Sequence, residues 1–422
     1  MGLALASATV SELLVEPGID ARVPIVRRML AAVGESLLCR LLLDLSLIVG
    51  VATFMVYLKL DSFGQDLGVY RTGGHAVIYN RPLYQPSFHS IHGLLFTYPP
   101  FAALLFAPLY KVSQHTAMSW WTMLTILGVG SLIVIAVKLA FKVALPRRWT
   151  PHLIVLGGLM ASMIAPIKDC LTLGQIGVFL TLMCLADTAL ARTRWPRGVL
   201  IGFAAAVKMT PGLFVLYYVI TGQWKAARNA VVTLAVCWGI AAVVLPSDTR
   251  DFFIRRMGFD ASRVGDVSDH MNQSLNGLWH RLPLLAPGVW WVASSLLVGA
   301  FGMWRARRAY RTGDLLAASV LVGFVVLLVS PVSWMHHAAW LVPAVIVLAS
   351  RGQLRYRIWT VALVILLFVP IVYINGRDPY TRGFLVETYV VVYLLIVAFL
   401  PVRNVNRPAG SPVPSPRAEV ST

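Results

Sequence analysis

The residues of this chain whose type and placement could do chemistry are Asp66, Tyr70, Arg71, Gln175, Lys208, Arg263, Asn272, Gln273, His336 and His337. Asp66 stands in the stretch FGQDLGVYRTGGHAVIYNRPLY (63–84), directly after the first strongly apolar run. A carboxylate there can accept a proton from a substrate hydroxyl, which is the work of a general base. The alternative is a helix cap, because Asp near a helix N-terminus bonds free backbone N–H groups. Lys208, in FAAAVKMTPG, sits where a helix must end before Pro211. An unpaired lysine at that depth either finds an anion or snorkels to the surface. Its compact ammonium suits a phosphate, and Arg71 and Arg263 could add charge for the same group. His336 and His337 follow SPVSW. Adjacent helical residues point about 100° apart, so the two rings are poorly placed to share one metal, which favours i, i+4 spacing. One ring could face a cavity while the other packs, or both simply pack. Gln175 in LTLGQIGVF and Asn272 and Gln273 in DHMNQSLNG are amides suited to sugar hydroxyls, though amides are common in loops. Tyr70, four residues past the acid, joins this substrate-binding set.

What is missing narrows the chemistry. The sequence holds no P-loop, no GxGxxG followed by an acid, and no GxSxG, HExxH or EF-hand loop. Nor is there an Asp-x-Asp pair for a metal-bound nucleotide sugar, since Asp61 and Asp66 are five positions apart. A carboxylate, a few cations and several amides fit a lipid-borne donor better than a soluble nucleotide one, and no cofactor is expected.

The elements that must position these residues follow from composition. The chain has 422 residues, 58% of them hydrophobic and 13% charged, with a mean hydropathy of +0.73. That is about half the usual charge load of a soluble domain. Runs such as LLLDLSLIVGVATFMVYLKL and WWTMLTILGVGSLIVIAVKLAF are long enough to span a bilayer. The fold class is therefore an all-α polytopic membrane protein. The net charge of +18 does not indicate nucleic acid here, because the Lys and Arg lie in short clusters between spans, as the positive-inside rule requires. Cys39, Cys170, Cys184 and Cys237 form no CxxC pair and read as core residues.

Placing RTRWPR (192–197), QWKAAR (223–228), RARRAYR (305–311), RGQLRYR (351–357), RNVNR (403–407) and LPRRW (145–149) on the cytoplasmic side orders the rest. About twelve spans result, near 38–60, 117–142, 151–167, 175–191, 197–209, 211–221, 226–246, 288–304, 314–331, 335–350, 357–374 and 384–401. Residues 1–36 form a cytoplasmic extension without a cleavable signal, 37–402 the transmembrane domain, and 403–422 a disordered cytoplasmic tail. Residues 61–95 and 247–287 become large outer loops, and Pro-containing 96–112 a re-entrant or interfacial element. Helix-like spacing of Leu67, Tyr70, His75 and Ile78 predicts an amphipathic interfacial helix starting near Asp66. All the chemically useful residues then fall on one outer face of the plasma membrane.

Six motifs, in order over residues 60–350, carry a resemblance: QDLGVYRTGG, FTYPPFAALLFAPL, LTLGQIGVFLTLM, GFAAAVKMTPGLFVLYY, MNQSLNGLWHR and SPVSWMHHAAWLVP. Together they resemble the mycobacterial polyprenol-phosphate-mannose-dependent α-(1→2)-mannosyltransferases of the phosphatidylinositol mannoside and lipomannan-branching type. The resemblance implies a GT-C glycosyltransferase with an extracytoplasmic active site. It implies Asp66 as catalytic base and His336 and His337 in the active site, a polyprenyl-phosphate-mannose donor, a lipid-linked mannoside acceptor, and inversion without a metal. Two alternatives stand beside it. One is arabinofuranosyl transfer from a lipid-phosphate donor on a similar fold; the other is a transporter or flippase of a polyprenyl-linked sugar, which would share the cationic phosphate site but need no base.

Overall fold

The computed structural model describes residues 64–85, 93–147, 149–255, 263–368 and 386–405, with residues 45, 47–50, 52, 88, 90 and 260. The chain divides into two compact units, Met1–Thr53 and Phe54–Thr422. The few described residues of the first unit are helical. The expected N-terminal extension, nearly all of the first span at 38–60, and the tail beyond residue 405 lie outside the described residues, as does the end of the span expected at 357–374.

The second unit is built from helices, and no strand occurs among the described residues. Helices α1 (Gln65–Ile78) and α2 (Pro100–Tyr110) precede the long α3 (Gln114–Phe141). Then come α4 (Thr150–Ala161), α5 (Ala165–Leu173), α6 (Gly177–Ala189) and α7 (Val199–Val207). A 3-10 turn, Thr210–Gly212, leads into α8 (Leu213–Ile220). The chain continues through α9 (Trp224–Val244), α10 (Pro246–Phe253), α11 (Leu275–Arg281), α12 (Pro287–Arg311) and α13 (Leu315–Val329). A second 3-10 segment, Met335–Trp340, opens α14 (Leu341–Ala349), followed by α15 (Leu354–Phe368) and α16 (Thr388–Phe399).

Two of the described helices, α3 and α9, are long and apolar enough to cross a membrane; a third span results if the bent pair α4–α5 is counted as one. The other apolar helices are shorter, because the sequence interrupts them. The span expected near 151–167 is broken: α4 and α5 meet at a bend of 96°. Pro166 in the first turn of α5 has no N–H to continue the preceding ladder, so the helix ends and restarts. Pro211 does the same between α7 and α8, where Lys208 leaves the helix in extended conformation.

Side-chain size sets how closely the helices approach. A Cβ added at Gly130 of α3 would lie 1.8 Å from the Ile154 carbonyl oxygen of α4, so only glycine permits this crossing. One end of the bundle is tied by buried charge. Asp187 accepts from Trp195 Nε1 (3.0 Å), from Gly198 N (2.8 Å) at the start of α7, and from Tyr218 Oη (3.1 Å) of α8. Nearby in sequence logic, Asp314 takes Arg351 Nη2 at 2.6 Å and the Arg403 backbone N–H at 2.8 Å. Such groups are tolerated in an apolar interior because each carboxylate is hydrogen-bonded, Asp187 by neutral donors alone and Asp314 also by the Arg351 guanidinium.

The expected interfacial helix exists as α1 but differs in character. Leu67, Gly68, Val69, Tyr70, Gly73, Gly74 and Ala76 are all buried, so α1 is packed into the protein on most of its circumference. Of the face predicted to be apolar, Ile78 is exposed. Packing against α2 and the α5 terminus holds it in place.

Candidate active site

The site forms where three helix ends meet. α1 starts at Gly64, whose N–H donates to Thr172 O of α5 at 3.0 Å. α5 ends at Gly174 in left-handed conformation, and a Cβ there would lie 2.6 Å from Leu67 Cβ. That contact sets Asp66, in the first turn of α1, beside Gln175. The N-cap position is Gly64 and carries no side-chain cap, so Asp66 does not act as the cap that the sequence offered as its alternative.

Gln175 is buried and held from three sides. Its Oε1 accepts from Tyr70 Oη at 3.1 Å, its carbonyl accepts from Trp121 Nε1 at 3.2 Å, and its N–H donates to Cys170 O at 2.8 Å. With Oε1 occupied, the amide nitrogen is the group left to donate to Asp66, and Gln175 does hydrogen-bond that carboxylate. Asp66 lies in the loop between expected spans. Burial pushes its carboxyl up to about 6, opposed by the Gln175 hydrogen bond and the Lys208 charge.

The break between α7 and α8 delivers Lys208 to the same place. Its Nζ is 2.8 Å from His337 Nε2 and 5.5 Å above the Tyr98 ring. Tyr98 in turn meets Tyr70, hydroxyl to hydroxyl, at 3.0 Å. The 3-10 segment after α13 presents the histidine pair, with rings 4.6 Å apart and nearly perpendicular. Its backbone is seated against α5, since Cys170 Sγ lies 3.0 Å from His336 O.

These groups line one cavity of about 840 Å³, within the size range of ligand pockets. Asp66, Gln175, Lys208, Arg263, His336 and His337 all reach its wall. Arg263 comes from the segment between α10 and α11 and donates from Nη2 to Tyr84 O at 3.2 Å. The remaining wall is largely apolar, from Val69, Leu213, Phe252, Val326 and Trp334 among others. A carboxylate and an ammonium on one half-apolar cavity can deprotonate a hydroxyl and stabilise a phosphate within the same reaction.

Four expected residues do not reach the cavity. Arg71 is turned toward the α2–α3 connection, donating to Leu109 O (3.1 Å), to Gln114 Oε1 (2.7 Å) and to Val112 O. Its guanidinium fork closes that turn instead of awaiting a phosphate. Asn272 is fully buried; its Nδ2 donates to Val267 O (2.9 Å) and its Oδ1 accepts from Ser333 N (2.9 Å). Gln273, equally buried, donates to His270 O (2.7 Å) and Val386 O (2.8 Å). Both amides satisfy backbone groups that the second loop buries against residues 330–333 and 386–390, as buried polar groups must be. Tyr70 stands behind the wall and orients Gln175. The cavity also holds residues that the sequence reasoning passed over: Thr97 and Tyr98 before the Pro99–Pro100 pair, Thr210, Asp269 and Asn276. The one usable signal was the aromatic directly preceding two prolines, a fixed extended segment between two apolar runs.

Comparison with known proteins places the chain among glycosyltransferases. The chain is 33% identical over 306 residues to the polyprenol-phosphate-mannose-dependent alpha-(1-2)-phosphatidylinositol mannoside mannosyltransferase of Mycobacterium tuberculosis, covering 69% of this chain and 71% of that protein. It is 34% identical over 326 residues to the protein of the same name from Mycolicibacterium smegmatis, covering 71% and 72%. A polyprenol-phosphate-mannose-dependent alpha-(1-2)-phosphatidylinositol pentamannoside mannosyltransferase of Mycobacterium tuberculosis is 33% identical over 308 residues, covering 69% and 67%. No solved structure matches. Residues 96–331, more than half of the chain and most of the cavity wall, match one family description, and this chain belongs to glycosyltransferase family 87.

Proposed function

We propose that the protein is an inverting mannosyltransferase of the plasma membrane. It moves mannose from polyprenyl-phosphate-mannose to a lipid-anchored mannoside, such as a phosphatidylinositol mannoside, and forms an α-(1→2) linkage. The observation that carries this reading is the meeting of Asp66 and Lys208 on one cavity, with Gln175 and the histidine pair between them. The names of the similar mycobacterial enzymes support the donor and the acceptor class. A chain of about twelve spans, with the cavity at the outer membrane surface, suits two lipid substrates.

In the mechanism, Asp66 takes the proton of the acceptor hydroxyl while that oxygen attacks the anomeric carbon from the face opposite the phosphate. One displacement inverts a β-linked donor to an α-linked product. Charge grows on the departing phosphate, and Lys208 and His337 are placed to stabilise it. Gln175 keeps the Asp66 carboxylate in one orientation, and its own orientation is set by Tyr70. The roles of Arg263 and His336 are on the wall, toward phosphate or sugar.

The test is mannosyl transfer from synthetic polyprenyl-phosphate-mannose to a phosphatidylinositol oligomannoside, with purified wild type and Asp66→Asn in detergent, each with and without EDTA. Product from the wild type alone is expected, and undiminished by EDTA. An Asn variant with near-normal rate would remove Asp66 from the role of base. Movement of the lipid donor across vesicles with no product would replace the transferase reading by a transporter.

A further inference from the structure

Helices α3 and α4 form an antiparallel hairpin that two glycines bring together. Cβ atoms added at Gly130 and Gly158 would lie 1.8 Å from Ile154 O and 2.1 Å from Ile126 O, so the two backbones nearly touch there. From that crossing, eight positions along α3 lead to Lys138, and seven positions back from Ile154 lead to Arg147. Both cations therefore stand on the order of 10 Å beyond the crossing, at the connection of the hairpin. A groove of about 430 Å³ runs along one side of this pair. Leu127, Ile154 and Val155 give it apolar surface, and Lys138, Arg147 and Thr150 line it as well.

No acid of the hairpin balances these cations. Positions 67–168 contain no Asp or Glu, so neither arm nor the connection carries a carboxylate. Among the described residues, neither Lys138 nor Arg147 joins an ion pair. The carboxylate tied to this end of α3 is that of Asp314. It is reached through Arg403, which donates from Nη1 to Ala140 O at 3.3 Å and from its backbone N–H to Asp314 Oδ2 at 2.8 Å. Asp314 is already held by Arg351 Nη2 at 2.6 Å. Lys142, exposed at the C-terminus of α3, adds one more positive charge. Snorkelling alone would let long cationic side chains part and turn to water; these two share the wall of one apolar groove instead.

A ligand that fits brings an anion to the connection and hydrocarbon to the groove. A soluble phosphate meets only the first requirement. Leu156 and Met160 are exposed on the outside of α4, so apolar surface continues from Val155 along that helix. We propose that the groove between α3 and α4 binds an anionic phospholipid of the surrounding bilayer, its headgroup phosphate on Lys138 and Arg147 and the start of one acyl chain over Leu127, Ile154 and Val155. The site is separate from the active-site cavity. Trp121, which donates to Gln175 O, precedes Lys138 by 17 positions on the same helix, a distance of about 25 Å. Since α3 is long and apolar enough to cross a membrane, the groove lies toward the opposite end of that span. A lipid held there neutralises the connection and fixes the depth of the hairpin in the bilayer.

The test places the full chain in phosphatidylcholine nanodiscs with a trace of phosphatidylglycerol that carries a photoactivatable group early in one acyl chain. After illumination, labelled peptides are mapped by mass spectrometry. Label is expected within residues 127–155, displaced by plain phosphatidylglycerol but not by phosphatidylcholine or inorganic phosphate. One Lys or Arg at an anionic lipid is worth about fivefold in binding. Lys138→Gln and Arg147→Gln should therefore each lower labelling about fivefold, and the double variant about twenty-five-fold. Lys138 is half-buried and Arg147 exposed, so the variants should elute as wild type on size-exclusion chromatography; if the double variant does not fold, the single variants and the wild-type competition decide. Equal labelling by a photoactivatable phosphatidylcholine, or label spread alike over basic segments such as 305–311, leaves only general attraction to the membrane surface and overturns the site. Labelling unchanged by the substitutions overturns it too, and displacement by inorganic phosphate replaces the lipid by a soluble anion.

Discussion

Replacing Asp66 by Asn should make the protein inactive and more stable at once. Burial raises the Asp66 carboxyl from 3.8 to about 6, despite the Gln175 hydrogen bond and the Lys208 charge. A shift of about two units corresponds to roughly 3 kcal/mol spent on ionising the group in the folded protein. Asp66 is only partly buried in the folded protein, so after solvent screening about 1–3 kcal/mol is the expected range. The sign follows from linkage. Below pH 3.8 the group is protonated in both states and imposes no penalty. As pH rises from about 4 to 6 the unfolded chain ionises first, and the folded protein loses stability; above 6 the loss is complete and constant. Asn has the same shape, keeps a polar contact with Gln175, and never ionises. The variant should therefore unfold about 2–4 °C higher than wild type near pH 7.5, with the difference shrinking toward zero near pH 4. Loss of a general base costs about 10²–10⁴-fold in rate. Tryptophan fluorescence melts in detergent at several pH values, at one scan rate, together with the transfer assay, measure both. An Asn variant that melts lower at pH 7.5, or shows the same pH dependence as wild type, would refute the assignment of Asp66 as a strained, functional carboxylate.

Three further outcomes follow from named contacts. Wild-type kcat/KM should fall about tenfold per unit below pH 6, as Asp66 gains its proton; in Gln175→Leu the limb should move to higher pH, because the hydrogen bond that favours the carboxylate is gone. Asn272→Ala removes bonds to Val267, Ser333 and Pro331 from a fully buried site, so it should cost about 2–4 kcal/mol of stability, read as a lowered melting midpoint. Surviving protein should keep its donor KM within about twofold, whereas a true sugar ligand would raise it. Gly130→Leu should abolish folded protein on size-exclusion chromatography, because its Cβ would lie 1.8 Å from Ile154 O, while Gly299→Ala in α12, which meets nothing within 4 Å, should be neutral or slightly stabilising.

Much of this protein was legible in the sequence, for reasons of solvent and charge. A chain this poor in charge can satisfy its backbone in lipid only as helices, so the all-α class needed no contacts to derive. Asp66, Lys208 and the His336–His337 pair stood out because an ionisable group beside long apolar runs is too costly to be placed without a partner. Helix lengths were less legible, since Pro166 and Pro211 break α4–α5 and α7–α8 at angles that depend on what each half packs against. The amides mark the limit of reading by residue type. Gln175, Asn272 and Gln273 are the same chemistry in similar loops, yet Gln175 faces the cavity and the other two satisfy buried backbone. Arg71 and Arg263 divide in the same way, one closing a turn and one lining the wall. The sequence by itself determined which groups were available and that they needed partners. Only the tertiary structure decided which partner each one has, because the cavity wall is assembled from segments about 30 to 270 positions apart, and a polar side chain bonds whichever donor or acceptor that packing brings within 3 Å.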